Sequence, residues 1–267
     1  MKNQYVGDIG DYGKYGLLRF LAGNGIKIGV NWYLTENDGT NDGEINKYLG
    51  IYKKNRYPEN IIEQYKRYDS ELFEKLQPIV AKGKNKKRVQ DIKNNDIILN
   101  AVFFDDKLEK NEGQSVARRK ELRDTWHENA LKKLSDESIE LIFADPDNGT
   151  LNPKMKPSIK NGEKYATLDE LSKYYNKGKN VVYYCHKARR SKDKWKEKKN
   201  EFKAFCPDAK IIVLTFRYGT QRSFIFAVHL ENYDKYNKLI NDFLKTDWGT
   251  FTVNGKKNPP FNPEEDL

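Results

Sequence analysis

Apolar positions along the chain alternate between two periods. Near-helical spacing places Tyr15, Leu17, Leu18 and Leu21 on a helix over residues 11–22, and Gly23-Asn24-Gly25 stops it. The unbroken apolar or aromatic run from Ile28 to Leu34 predicts a buried strand. Ile61, Ile62, Tyr65, Tyr68, Leu72, Phe73 and Leu76 predict one long helix from Pro58 to Val80. A basic stretch, Lys82 to Arg88, ends that pattern.

The rhythm of strand and helix then repeats. Strands are predicted over 101–104, 139–144, 181–185 and 210–216, and helices over 116–134, 168–175 and 187–205. Arg222 to Leu230 reads as a further strand. The gap Arg217 to Gln221 is so short that the last two strands form an antiparallel hairpin, followed by a helix over 233–244. Such alternation predicts a single three-layer α/β domain, residues 1–267, with residues 44–100 as a mainly helical insertion.

Composition narrows the class. The longest apolar runs are strand-length, which excludes a membrane-spanning helix. With 17 Tyr and 13 Phe there is ample material for a core, so a disordered chain is not expected. Two cysteines, Cys185 and Cys206, neither staple a secreted fold nor make a zinc site. The start Met1-Lys2-Asn3-Gln4-Tyr5 lacks a signal-like apolar stretch, and a cytoplasmic location is expected. The formal charge of +10, discounted for a composition rich in Lys and Asn throughout, still points to a nucleic-acid partner. No pattern assigns an oligomeric state.

Candidate chemistry gathers at strand ends. Asp145-Pro146-Asp147-Asn148-Gly149 follows a buried strand, where open α/β sheets bind ligands. Two carboxylates one proline apart can share a hard divalent cation such as Mg2+ or Mn2+, although Asp, Asn and Gly also make ordinary turns. The loop holding Glu36, Asp38 and Asp42 should come within about 10 Å of Asp145, and converging carboxylates need a cation or solvent between them. Asp145, Asp147 and Asp38 are therefore candidate metal ligands. In Gly7-Asp8-Ile9-Gly10-Asp11-Tyr12-Gly13-Lys14, Asp11 is the expected helix cap and Lys14 a candidate for binding phosphate or a cofactor carboxylate. His186 is a candidate acid or base, Arg217 a candidate phosphate partner, and Asn148 a neighbour of both acids. Eight cations in the thirteen residues from Lys187 to Lys199 form either a solvated face or a nucleic-acid contact, with Lys187, Arg189, Arg190 and Lys192 leading.

The layout resembles class I methyltransferase-like (Rossmann-like) proteins. It is most similar to the bacterial 23S ribosomal RNA adenine methyltransferases that carry a Gly-Asn-x-x-Asp-x-x-Lys-His segment and an Asp-Pro-Pro motif. The carriers are Gly7-Asp8-Ile9-Gly10-Asp11-Tyr12-Gly13-Lys14-Tyr15, Trp32-Tyr33-Leu34, Asp145-Pro146, and the closing strand Phe224 to His229 with Trp248-Gly249. Asp145-Pro146-Asp147-Asn148-Gly149 with Lys164-Tyr165 also looks like a group of uncharacterised bacterial proteins. The resemblance implies S-adenosylmethionine as cofactor, with Asp38 and Asp42 lining its pocket and Asp145 holding a target amine. Asp147 stands where the second proline would be and Asn148 where an aromatic would stack. The acidic loops make a divalent-metal-dependent nuclease the leading expectation, an RNA or DNA adenine methyltransferase the alternative, and a non-catalytic nucleic-acid-binding protein the third.

Overall fold

The computed structural model describes residues 1–40, 43–51, 56–110, 113–186, 190–219, 221–253 and 256–264. Helix α1 (Ile9–Gly23) begins at Asp8, whose carboxylate accepts from the Asp11 backbone N–H at 2.8 Å. The cap is thus Asp8 and not the expected Asp11, because a cap side chain must reach back to the third helical amide, and that amide belongs to Asp11. Strand β1 (Ile28–Asn31) is shorter than its apolar run. Tyr33 adopts a left-handed φ of 45°, which takes the chain out of the ladder.

The elements between β1 and β2 (Val102–Phe104) are helical. The expected long helix is two, α2 (Glu59–Tyr68) and α3 (Ser70–Ala81), broken at Asp69. Asp69 is extended, caps α3 through Leu72 N, and takes the Arg19 guanidinium at 2.8 Å, a tertiary demand that helical spacing does not register. A short α4 (Gln90–Asn94) follows.

Beyond β2 come α5 (Val116–Leu134), β3 (Leu141–Ala144), α6 (Leu168–Tyr175) and β4 (Asn180–Cys185). The basic helix is α7 (Lys192–Asn200), shorter than the expected 187–205. Next are β5 (Lys210–Phe216), β6 (Arg222–Val228), α8 (Tyr233–Leu244) and α9 (Asp247–Thr250). A small pair, β7 (Thr252–Val253) with β8 (Lys256–Lys257), precedes β9 (Phe261–Pro263).

Among the described residues the main sheet is mixed and seven-stranded, in the order β2-β1-β3-β4-β6-β5-β9. Strands β1 to β4 run parallel, β6 lies antiparallel between β4 and β5, and β9 closes the edge antiparallel to β5. Pro263 is tolerated there because an edge strand has one unpaired side. The chain leaves β1 for β2 on one side and reaches β3 on the other, so the sheet reverses direction between β1 and β3.

Alternate strand residues enter two apolar clusters. Val30, Phe143, Val182 and Phe224 pack with α1, α3 and α8, while Ile142, Ala144, Tyr183 and Ile225 pack with α5 and α6. The strands β1, β3 and β4 are buried along their whole length, which explains their unbroken apolar runs.

The glycine spacing in α1 is a packing face. A Cβ at Gly10 would stand 2.0 Å from the Arg222 guanidinium carbon, and one at Gly13 would stand 2.5 Å from the Phe216 ring. Alanine is ordinarily the better helix former by about 1 kcal/mol. Here Gly13→Ala should instead destabilise by about 1–3 kcal/mol through overpacking against a buried ring. Urea denaturation checks the sign, and a stabilised variant would refute the packing account.

Candidate functional site

A cavity of about 320 Å3 opens at the carboxyl ends of β3 and β4. Asp145, Pro146, Asp147 and Asn148 reach it from β3, Tyr184 and His186 from β4, Asp8, Asp11 and Lys14 from α1, and Arg222 from the start of β6. Lys14 stands one turn and a half into α1, so its side chain falls on the same face as Asp11 and points across the strand ends.

Lys14 and Asp145 form the centre. Lys14 Nζ lies 2.6 Å from Asp145 Oδ2 and 2.7 Å from Asp11 Oδ1, and all three side chains are buried. Tyr15 OH donates to the other Asp11 oxygen at 2.8 Å. Burial would push the Lys14 ammonium down, yet the charges of Asp11 and Asp145 outweigh it and leave the pKa raised. For Asp145 burial dominates the opposing pull of Lys14, and its pKa is raised.

Asp147 has separate partners. Its Oδ1 is 2.7 Å from the Met1 nitrogen, and its Oδ2 is 3.2 Å from Lys2 Nζ and accepts from Thr35 Oγ1 at 3.3 Å. Burial opposes ionisation, but the Met1 ammonium and Lys2 hold the carboxyl below its ordinary value. Lys2 Nζ also meets Asp38 Oδ2 at 2.6 Å. The two acidic loops therefore do converge, and the cation between them is a lysine. Although burial opposes it, Lys2 and Thr40 hold the Asp38 carboxyl low.

Three acceptors meet at the Met1 nitrogen: Asp145 O at 2.8 Å, Tyr33 O at 3.2 Å and Asp147 Oδ1. Met1 O in turn accepts from Thr35 N at 2.9 Å, and Lys2 bridges Thr35 in parallel, so residues 1–2 line the loop after β1.

The remaining candidates are scattered. Glu36 is exposed and paired with Lys107 at 2.8 Å, at a separate 480 Å3 cleft outside β1 and β2 that Asp105 also lines. Asn148 is exposed at the cavity rim, its N–H donating to Lys164 O. His186 is held by Tyr184 OH at 2.5 Å from Nε2. Burial first, then the Arg222 charge, push its pKa down, so the ring is neutral at neutral pH. Arg217 is exposed and does not line the cavity; the guanidinium that does is Arg222, 3.3 Å from Asp8. Asp42, Lys187 and Arg189 lie outside the described residues. Arg190 Nη1 donates to His186 O at 2.7 Å, and Lys192 is exposed at the start of α7. Two of the basic run turn inward: Lys198 pairs with Glu201 at 2.5 Å and Lys199 with Glu264 at 3.0 Å.

Sequence reasoning passed over Lys2, Asp8, Tyr184, Arg222 and Asp105. Asp105 had a local signal, an acid directly after an apolar strand. Asp8 had another, as the local N-cap of α1; Lys2, Tyr184 and Arg222 carry none, since only the chain's return from distant positions brings them to the site.

A divalent cation does not fit this donor set. Asp145 is engaged by Lys14, Asp147 by Lys2 and Met1, and a metal would have to displace those cations. Among the described residues no group of three or more His, Cys, Asp or Glu is placed to hold one. Two backbone carbonyls and a carboxylate converge on the Met1 nitrogen, a set of acceptors suited to an ammonium group.

No family model matches the chain, and no curated protein matches it either. Among the described residues no helix is long and apolar enough to cross a membrane.

Proposed function

We propose that the chain is an S-adenosylmethionine-dependent methyltransferase acting on an amino group of a nucleic-acid base, on a three-layer methyltransferase-like sheet. The observation that carries it is the buried Lys14–Asp145 pair at the carboxyl edge of β3, beside the point where the sheet reverses direction. The closing hairpin, with β6 reversed inside the sheet, supports the same reading of the fold.

The cofactor supplies an electrophilic methyl group. With Met1 displaced, the Tyr33 and Asp145 carbonyls and the Asp147 carboxylate would hold its ammonium. Asp105, at the end of β2 in the cleft outside β1 and β2, would accept from ribose hydroxyls. Asp145, paired with Lys14, would accept from the target amine and orient its lone pair. The neutral His186 ring, hydrogen-bonded to Tyr184, takes the proton that the amine sheds.

Titration calorimetry in the absence of metal should detect S-adenosylmethionine binding. Asp145→Asn should cut transfer of labelled methyl groups to RNA or DNA by about 100-fold or more, with an unchanged circular-dichroism spectrum. Binding of Mg2+ or Mn2+ that Asp147→Ala removes, without cofactor binding, would overturn the proposal in favour of a metal-dependent hydrolase.

The nucleic-acid surface in this reading is the exposed face of α7. Replacing Lys192, Lys194 and Lys196 by Ala should flatten the salt dependence of binding by roughly 2–3 units on duplex DNA. An unchanged slope in filter binding would remove α7 from the interface.

A further inference from the structure

A second cavity, of about 960 Å3, lies between α5, the loop over 151–158 and the start of α6. It shares no lining residue with the cavity at the strand ends. Its volume is that of a small-molecule site. Three exposed apolar side chains line it: Val116 and Met155 are 56% and 52% exposed, and Phe205 is 40% exposed. A thioether and a ring in the lining favour contact with an aromatic face.

The charges of the lining cancel. Lys120 pairs with Asp124 at 2.5 Å, Lys173 with Asp169 at 2.9 Å, and Arg123 with Glu170 at 2.6 Å. Lys156 and Glu128 are of opposite sign. Three of the four pairs of opposite charge are already joined, so a charged occupant would meet only Lys156 or Glu128 as a counter-charge, and a desolvated uncompensated charge is costly. Within this apolar setting His127, only 2% exposed, lines the cavity, and its Nε2 has no hydrogen-bond partner among the described residues. An orphaned ring nitrogen of this kind costs free energy until a ligand satisfies it.

We propose that this cavity binds an uncharged, flat heteroaromatic small molecule whose hydrogen-bonding edge is read by His127. The site is separate from the one that takes cofactor and substrate. It stands whether or not the methyltransferase reading does.

The chain has three histidines, so 15N-histidine labelling gives a spectrum that His127→Gln, His186→Gln and His229→Gln variants assign. Indole, with an N–H donor, and quinoline, with a ring acceptor, are the probes. At millimolar concentration at least one should shift the His127 ring signals and leave those of His186 and His229 in place. Ala117→Trp, from an exposed position on α5, fills the cavity, and Met155→Asp charges its wall. Each should weaken the probe by about tenfold, a change of about 1.4 kcal/mol, whereas Asn129→Trp, exposed on the same helix outside the cavity, should not. Two results overturn the proposal: no shift at His127 with either probe, or shifts that survive both cavity variants unchanged. A cavity built for a peptide would give the first.

Discussion

Lys14→Met should destabilise the protein by about 3–5 kcal/mol, the range expected when one partner of a buried ion pair is removed. Lys14 is 4% exposed, and its departure leaves two buried carboxylates, Asp11 and Asp145, without the cation they share. Methionine keeps the length and the packing, so the loss reports charge and not volume. Adding Asp145→Asn should recover part of the deficit, since an amide needs no counter-charge. Chemical denaturation with an unchanged denaturant slope measures both.

The pH dependence has a definite sign. Lys14 has its pKa raised in the folded state, so its contribution is complete below the unfolded lysine value of roughly 10.4 and is lost only as pH rises through the higher folded value. The deficit of the variant should therefore be flat from neutral pH to about pH 9. Asp145 is also raised, by burial, and without Lys14 that effect is opposed only by the Met1 ammonium. A folded state that takes up a proton before the unfolded chain gains stability as pH falls, so the deficit should narrow on acidification. A deficit that widened in acid would contradict the ion-pair account.

Arg123→Met is the second large effect, again about 3–5 kcal/mol. Arg123 holds Glu170 by two bonds, at 2.6 and 2.9 Å, and donates to the carbonyls of Gly162 and Tyr165. Burial opposes ionisation of Glu170, yet Arg123 pushes its pKa down to about 2. A depressed carboxylate stabilises above its unfolded value and loses that contribution as pH falls, here between roughly pH 4.5 and about 2. The parent should lose about 3 kcal/mol across that window, and the variant should not. Tyr33 OH donates to Glu170 at 3.3 Å while the Tyr33 carbonyl accepts from the Met1 nitrogen at 3.2 Å. Under the proposed function, the variant should then also bind S-adenosylmethionine more weakly than the parent, read by calorimetry under conditions where it remains folded.

Elements with strong local periodicity were legible from residue order alone. The helices Val116–Leu134, Leu168–Tyr175 and Tyr233–Leu244 and the strand Lys210–Phe216 carry the bounds that spacing predicts. In each, the apolar stripe that faces a core is the same signal that defines the element. The position of Asp145 and Asp147 at a buried strand end was equally visible. So was the hairpin of β5 and β6, though not that β6 would sit between β4 and β5.

Long-range contact decided the rest. Lys14 meets Asp145 across 131 positions, and Arg222 meets Asp8 across 214. Residue order names the carboxylates but not their counter-ions, because Coulomb pairing depends on distance in space and carries no period along the chain. The same holds for Lys2 between Asp38 and Asp147, for the inward turn of Lys198 and Lys199, and for Arg222 in the cavity where Arg217 was expected. Helix α1 shows both regimes at once. Its start was written in local hydrogen-bonding groups, whereas the need for Gly10 and Gly13 came from side chains of β5 and β6 more than 200 residues further on. Local propensity sets which elements form, and close packing between distant elements sets which side chains meet.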